Sequence, residues 1–344
     1  MKNSARRFVA ALLAAALTAA CGGTGGDDSG GEMTLRIAQS STSVGYFTLY
    51  VAQQEGFFED EGLDIGEPSV LGGDSKVAAA LAGGAADIGG GVATTAFLLA
   101  DGGRDPRIVA NLLNSYYVDV IVGNQFSQPP PDATLEEKIQ ALAGARIGVP
   151  APSGGGAALL QFLFNQVGLD METDVTMVNL GGSSSGAVGA LQTDRVNALV
   201  FFQPIGQQVE AQQLGSIYIS PSRGDIPDMT DQPHAVAIST AEIVEDKPEE
   251  MAAFVRAIAR AQELIHVDRA RTAELFGTYQ SSLDPNTVEL LLPVLQREVP
   301  DTPVLTEEGY AKTLDFHRVA GLAENAPDFA TMSGDDLAGR ALDE

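Results

Sequence analysis

The sequence predicts an α/β protein of two lobes, each a mostly parallel sheet flanked by helices, with the second lobe inserted into the first. Three observations predict it. From Met33 to Ile238 short β-like runs alternate with helical patterns, as when strands are joined by crossover helices. Two Pro-, Gly- and polar-rich stretches, Asn124 to Asp132 and Pro221 to Pro233, interrupt that alternation and read as connections between lobes. Beyond the second the chain becomes helical and returns to the first lobe. Residues 33–123 with 234–344 are thus expected as lobe 1, and 124–233 as lobe 2.

The elements follow in order. Leu35 and Ile37 alternate in a strand ending at Gln39, and a polar loop leads into Tyr46 to Gly56, where Phe47, Tyr50, Val51 and Gln54 suit a helix. Leu63 to Leu71 reads as a strand, Val77 to Ala82 as a helix, and Ala86 to Gly89, Ile108 to Leu113 and Val118 to Val122 as further strands of lobe 1. Lobe 2 is expected to run strand Arg146 to Val149, helix Ala157 to Val167, strand Val175 to Leu180, helix Ala187 to Leu191, strand Ala198 to Phe202. Ser216 to Ile219 and Ala235 to Ile238 are strand-like on either side of the return connection. Pro248 with Glu249 and Glu250 opens a helix whose Met251, Phe254, Val255, Ile258, Leu264 and Ile265 share one face, and Asp284-Pro285 and Thr306-Glu307-Glu308 open two more.

Before these elements lies an export pattern. Lys2, Arg6 and Arg7 precede an apolar run from Phe8 to Leu17, and small residues Thr18, Ala19 and Ala20 lead to Cys21, the chain's one cysteine. A membrane span needs about 20 apolar residues, so the run suits a cleaved signal better than an anchor. The arrangement resembles a lipoprotein signal, except that the leucine stands four residues before the cysteine rather than three. Residues 1–20 are expected to be removed, Cys21 to be lipidated, and residues 21–32, Gly-, Ser- and Asp-rich, to form a flexible tether. One cysteine permits no intrachain disulfide, so the core must supply the stability.

Composition narrows the function. Formal net charge is −26, and removal of the three signal cations takes it to about −29, a surface that repels nucleic acid and anionic lipid. His234, His266 and His317 lie far apart without metal-ligand spacing, and neither a dinucleotide fingerprint nor a phosphate-binding lysine loop is present. No metal and no cofactor are expected. Gly182 to Gly186 matches Gly-x-Ser-x-Gly with Ser184 central, and Asp225 or Asp228 and then His234 follow in hydrolase order, but the Gly-Gly-Ser-Ser-Ser-Gly run fits a ligand-binding turn better.

Four polar, glycine-rich loops each follow an expected strand and precede a helix: Ser40-Ser41-Thr42, Gly72-Gly73-Asp74-Ser75, Ser153-Gly154-Gly155 and Gly181 to Ser185. Ligands of open α/β sheets bind at such strand ends, where helix N-termini present free N–H groups. Two loops per lobe, facing across a cleft, suit a small ligand. Tyr46, Tyr116, Tyr117 and one of Phe201 and Phe202 are placed to meet its apolar part.

These residues resemble a known family. The run Gly45-Tyr46-Phe47-Thr48-Leu49-Tyr50-Val51-Ala52-Gln53-Gln54-Glu55-Gly56-Phe57-Phe58, continuing to Ile65, is similar to the opening of the sulfonate, nitrate, taurine and thiamine-precursor substrate-binding proteins of ABC importers. Ala80 to Gly89, Leu142 to Pro150, and Ala190-Leu191 with Val196 to Ala198 carry the same resemblance. It implies a periplasmic-binding-protein-like clamshell of type II that closes on its ligand by a hinge. It also implies ligand contacts from Ser41, Thr42, Tyr46, Gly73, Thr94 in the Gly91-Val92-Ala93-Thr94 turn, Ser153, Gly154, Gly182, Ser183 and Phe202.

The implied function is that of a monomeric extracytoplasmic lipoprotein delivering a small molecule to an ABC permease and its ATPase, held at the membrane by lipid alone. The site loops hold no Arg or Lys apart from Lys76 and the more distant Arg223, and the chain has no Trp, so neither the anion-binding nor the thiamine-precursor subgroup is favoured. Two alternatives share the fold: an enzyme such as a menaquinone-pathway dehydratase or a pyrimidine synthase, and a ligand-sensing lipoprotein. The export pattern and the missing cysteine-rich motif argue against the enzymes.

Overall fold

The computed structural model describes residues 33–226 and 229–343. The segment expected as a signal, Cys21, the expected tether and Asp228 lie outside the described residues. The first part of the chain runs β1 (Met33–Thr34), β2 (Ile37–Gln39), α1 (Phe47–Gln54), α2 (Phe57–Asp60), β3 (Leu63–Asp64), β4 (Ser69–Val70), α3 (Asp74–Ala82), β5 (Ile88–Val92), α4 (Ala93–Asp101) and β6 (Pro106–Ser115). The second part is β7 (Val118–Gly123), α5 (Leu135–Gln140), β8 (Arg146–Val149), α6 (Gly155–Val167), β9 (Thr176–Asn179), α7 (Ser184–Gln192), β10 (Ala198–Phe202), α8 (Ile205–Ala211) and β11 (Gly215–Ile219). The third is β12 (Thr230–Thr240), α9 (Ala241–Asp246), α10 (Pro248–Val267), α11 (Arg269–Tyr279), α12 (Pro285–Glu298), α13 (Glu307–Val319), α14 (Phe329–Met332) and α15 (Leu337–Asp343).

Two five-stranded sheets result, ordered β4-β2-β5-β12-β6 and β11-β7-β10-β8-β9. They repeat one plan. In the first, β2 pairs parallel with β4 and β5, while β12 runs antiparallel to β5 and β6. In the second, β8 pairs parallel with β9 and β10, while β7 runs antiparallel to β10 and β11. The reversed strand of each sheet is the one that has just arrived from the other sheet, so the expected mostly parallel sheets are mixed by one strand each.

That topology corrects one boundary. Val118 to Val122, expected in lobe 1, belongs to the second sheet, so the first connection is Tyr116-Tyr117 and not Asn124 to Asp132. Both tyrosines are buried and carry no turn signal, which is why the sequence points past them. The proline-rich stretch is instead a surface loop that ends in the Thr134 capping box of α5, where the Thr134 hydroxyl accepts from the Glu137 N–H and the Glu137 carboxylate accepts from the Thr134 N–H.

Helix α10 is the spine of the first lobe. Its buried stripe of Met251, Phe254, Val255, Ile258 and Ile265 packs on α1 and α2, with Phe58 stacked on Phe254 at 5.5 Å between ring centroids. Leu264, expected on that face, is only partly buried. Among the described residues no helix is long and apolar enough to cross a membrane.

Candidate functional site

The loops at the carboxyl ends of β2, β4, β8, β9 and β10 meet where the two sheets face each other. Three glycines mark the contact. A Cβ on Gly182 would stand 3.0 Å from the Ser40 carbonyl oxygen and 3.1 Å from Gly72 Cα; one on Gly73 would stand 3.3 Å from Ala151 Cβ; one on Gly154 would stand 2.5 Å from Asp74 Oδ2. A Cβ at Gly154 would collide with the Asp74 carboxylate, and one at Gly182 or Gly73 would be crowded, so glycine suits these approaches. Between the loops remains a cavity of about 20 Å³, room for about one water molecule. The lobes are therefore closed on each other. A larger hollow of about 690 Å³ between α8 and α12, lined by Gln203, Arg223, Leu291 and Arg297 among others, adjoins the end of β10 on the other side, sharing no lining residue with this cavity.

Asp74 opens α3 and is 8 % exposed. Its Oδ2 accepts from the Gly155 N–H at 3.3 Å, in the first turn of α6 on the opposite lobe, and its Oδ1 accepts from the Thr95 hydroxyl at 3.4 Å. Burial pushes its carboxyl above the usual range, an effect opposed by hydrogen bonds from the Gly155 N–H, the Ser40 hydroxyl, the Val92 N–H and the Thr95 hydroxyl. The crossing tyrosines complete the junction. Tyr116 donates its hydroxyl to the Gly155 carbonyl at 2.6 Å, and Tyr117 donates to the Tyr46 hydroxyl at 3.3 Å, itself 2.8 Å from Ser40 Oγ. His234, on the reversed strand β12, is buried against Tyr116 with ring centroids 3.7 Å apart. Neither of its nitrogens has a hydrogen-bond partner, and burial holds the imidazole neutral by lowering its pKa well below the usual value.

The residues singled out from sequence divide into three groups. Ser41, Gly73 and Phe202 line the cavity, and Gly154 and Gly182 stand at the lobe contacts. Tyr46 is buried behind the cavity in the hydroxyl chain, and Phe201 packs in the second-lobe core beside Phe202, with centroids 5.6 Å apart. Thr42 and Ser183 are exposed and Ser153 is partly buried; the Thr42 carbonyl accepts from Gln280 at 3.0 Å, and Ser183 caps α7 by accepting from the Gly186 N–H at 3.3 Å.

Thr94 is a correction. The expected turn is the start of helix α4, which packs on β12 and β6, and Thr94 is fully buried there with its hydroxyl 2.8 Å from His317 Nε2. Among the described residues the hydrolase arrangement is not formed either. His234 bonds to no group, and Asp225 is engaged by the Ser220 N–H at 2.8 Å. Asp74 lay within one of the four loops without being picked as a contact, because an acid in a first helical turn is an ordinary stabilising residue. Sequence reasoning passed over Pro150 and Val92, which also line the cavity, because nothing separates them from common strand-end residues.

Comparison with known proteins places the fold and the family together. The model of the NMT1-like family matches residues 40–277, more than half of the chain. The chain belongs to the NMT1-like family. This NMT1-like chain is 22 % identical over 280 residues to YtlA of Bacillus subtilis, which bears the name of a binding protein, covering 80 % of this chain and 79 % of that one. A Bordetella bronchiseptica RB50 protein of solved structure is similar with a TM-score of 0.77 and 23 % identity, over 90 % of this chain and 97 % of that one. The alkanesulfonate-binding protein of Xanthomonas axonopodis pv. citri, solved with MOPS, gives 0.66 and 19 % over 90 % and 97 %; the nitrate-binding protein of Synechocystis PCC 6803 gives 0.67 and 13 % over 90 % and 88 %. At such identities the likeness is one of fold, and it is the periplasmic-binding-protein fold of two lobes.

Proposed function

We propose that this NMT1-like protein is an extracytoplasmic solute-binding lipoprotein, which closes its two lobes on a small molecule and delivers it to the permease of an ABC importer. The observation that carries the reading is the meeting of strand-end loops from both sheets around one small cavity, with Gly73, Gly154 and Gly182 at the loop contacts. A ligand that adds contacts only in the closed form shifts the lobes toward closure, and a permease that reads the closed form then receives loaded protein. Ser41, Gly73, Gly154, Gly182 and Phe202 are the proposed contacts from the sequence, joined by Asp74 and Tyr117. The relatives named for sulfonate, nitrate and general binding support the role, and Cys21 is the proposed anchor. No catalytic constellation in the described residues favours an enzyme over this reading.

Thermal melting of the soluble domain against sulfonates, nitrate, carboxylates, amines, pyrimidines and amino acids tests it. A ligand at 100 times its dissociation constant stabilises by about 2.7 kcal/mol, a shift of a few degrees. A saturable shift from one chemical class is expected; a folded domain indifferent to the whole panel would count against a binding role. For the anchor, Cys21→Ser is expected to move the protein from the membrane to the soluble fraction, and unchanged retention would remove lipid attachment there.

A further inference from the structure

We propose that Asp74 is the counter-charge for a cationic ligand, so that this cleft takes an organic cation with an apolar body and excludes sulfonates, nitrate and other anions. The inference rests on the binding role argued above and names the ligand class of that same cleft.

A carboxylate buried in a protein is ordinarily paired with a cation, because isolated charge is costly to remove from water. Asp74 is buried, yet among the described residues it forms no ion pair with any Lys, Arg or His. Among the described residues it is the one Asp, Glu, Lys, Arg or His lining the cavity. His234, close behind Gly155, is held neutral by burial and supplies no positive charge. Lys76, two residues further along α3, is exposed, and its ammonium lies 3.9 Å from where a Cβ on Gly72 would stand, at the rim.

All the groups that hydrogen-bond Asp74 are neutral, namely Gly155 N–H at 3.3 Å, the Thr95 hydroxyl at 3.4 Å, the Ser40 hydroxyl and the Val92 N–H, so its charge has donors but no cation opposite it. Its position also decides against anions. The N-terminus of α6, a helix of 13 residues, is where an anion would dock, and the Asp74 carboxylate already lies against it. An incoming sulfonate would meet that carboxylate at contact distance. The remaining walls suit a cation with an apolar body, since the aromatic residues Tyr117 and Phe202 are among those lining the same small space.

The test uses Asp74→Asn, which keeps the side chain's size and an acceptor for the Gly155 N–H while removing the charge. Without ligand at pH 7.5, the variant is expected to melt several degrees above the wild type. The gap should close as the pH falls toward 4, because a carboxyl with a raised pKa withdraws stability as the pH climbs through it. With matched probes, benzylamine and benzamidine are expected to stabilise the wild type at least 10-fold more tightly than benzoate or benzenesulfonate, and to lose that advantage in the variant. A variant that melts at or below the wild type would overturn the proposal, making Asp74 a plain hydrogen-bonding latch between lobes. Wild type that binds the anions as tightly as the amines would overturn it as well. The ligand-free measurement answers even where every probe is silent. Failure of the binding role would show separately, as indifference to the broad panel.

Discussion

Two buried aspartates stand at the junction of the lobes, and they are held in opposite ways. Asp74, on the cleft side, reaches to the other lobe through its 3.3 Å bond from the Gly155 N–H, while Thr95 holds it at 3.4 Å from its own lobe. Asp119, in β7 just past Tyr117, stays within its own lobe, accepting from the Ser220 hydroxyl at 2.6 Å and from Gln203 Nε2 at 3.5 Å. Asp74's interlobe bond is thus a long one, whereas Asp119 keeps a short bond inside its own lobe. The proposed closure on a ligand draws on that difference, a weak contact where the loops of the two lobes meet and a strong one beside the crossing.

The largest expected effect tests the cleft side. Gly182→Asp places a side chain against the Ser40 carbonyl and Gly72, both backbone and unable to swing aside. Ligand affinity should fall roughly 100-fold, about 2.8 kcal/mol, with little change in the ligand-free melt. Calorimetric titration checks this, and an unchanged dissociation constant would remove the Gly182 loop from closure.

Thr94→Val probes the opposite kind of residue. His317 donates Nδ1–H to the Thr313 carbonyl, so its Nε2 accepts from Thr94, and burial keeps the ring neutral with a pKa lowered to about 4. Valine leaves that nitrogen unpaired at a cost of about 1–3 kcal/mol. Chemical denaturation should show the loss while affinity stays put, and a large affinity change would return Thr94 to the site.

The smallest effect concerns the flank. Asp119 and Glu298 are each pushed up to about 7, chiefly by burial; Ser220, Gln203 and Arg223 pull Asp119 back down, as Ser115 and Arg297 do Glu298, while Glu210 raises Asp119 and Asp119 raises Glu298. With folded values above the unfolded ones near 4, both groups contribute stability that is complete below about pH 4 and lost as the pH rises through about 7. Lowering the pH from 8 to 6 should then stabilise by about 1 kcal/mol per group. The gain should shrink in Asp119→Asn and in Glu298→Gln, and a pH response identical in all three proteins would place its source elsewhere.

Much of the fold was legible because its signals are local. Arg146 to Val149 and Ala198 to Phe202 are strands with the limits that their alternation with helical segments suggests, and Pro248 opens α10 where its ring and the following glutamates indicate. Thr94 was misread because Ala93 to Asp101 is apolar nearly all round and shows no face, so a buried helix passed for a turn. The crossing was misplaced because Tyr116 and Tyr117 continue an extended run without Gly or Pro, while the conspicuous prolines mark only a surface loop.

By itself the sequence determined the alternation of strands and helices, the acidic surface, the polar strand-end loops and the family. These depend on side-chain period, backbone restriction and charge, all carried by neighbours along the chain. Only the tertiary structure decided which lobe each strand joins, which glycines meet across the cleft, and that Asp74 is buried against the first turn of a helix 81 residues further on. Those facts depend on pairings between distant segments, where a residue's role is set by what packs against it and not by what precedes it.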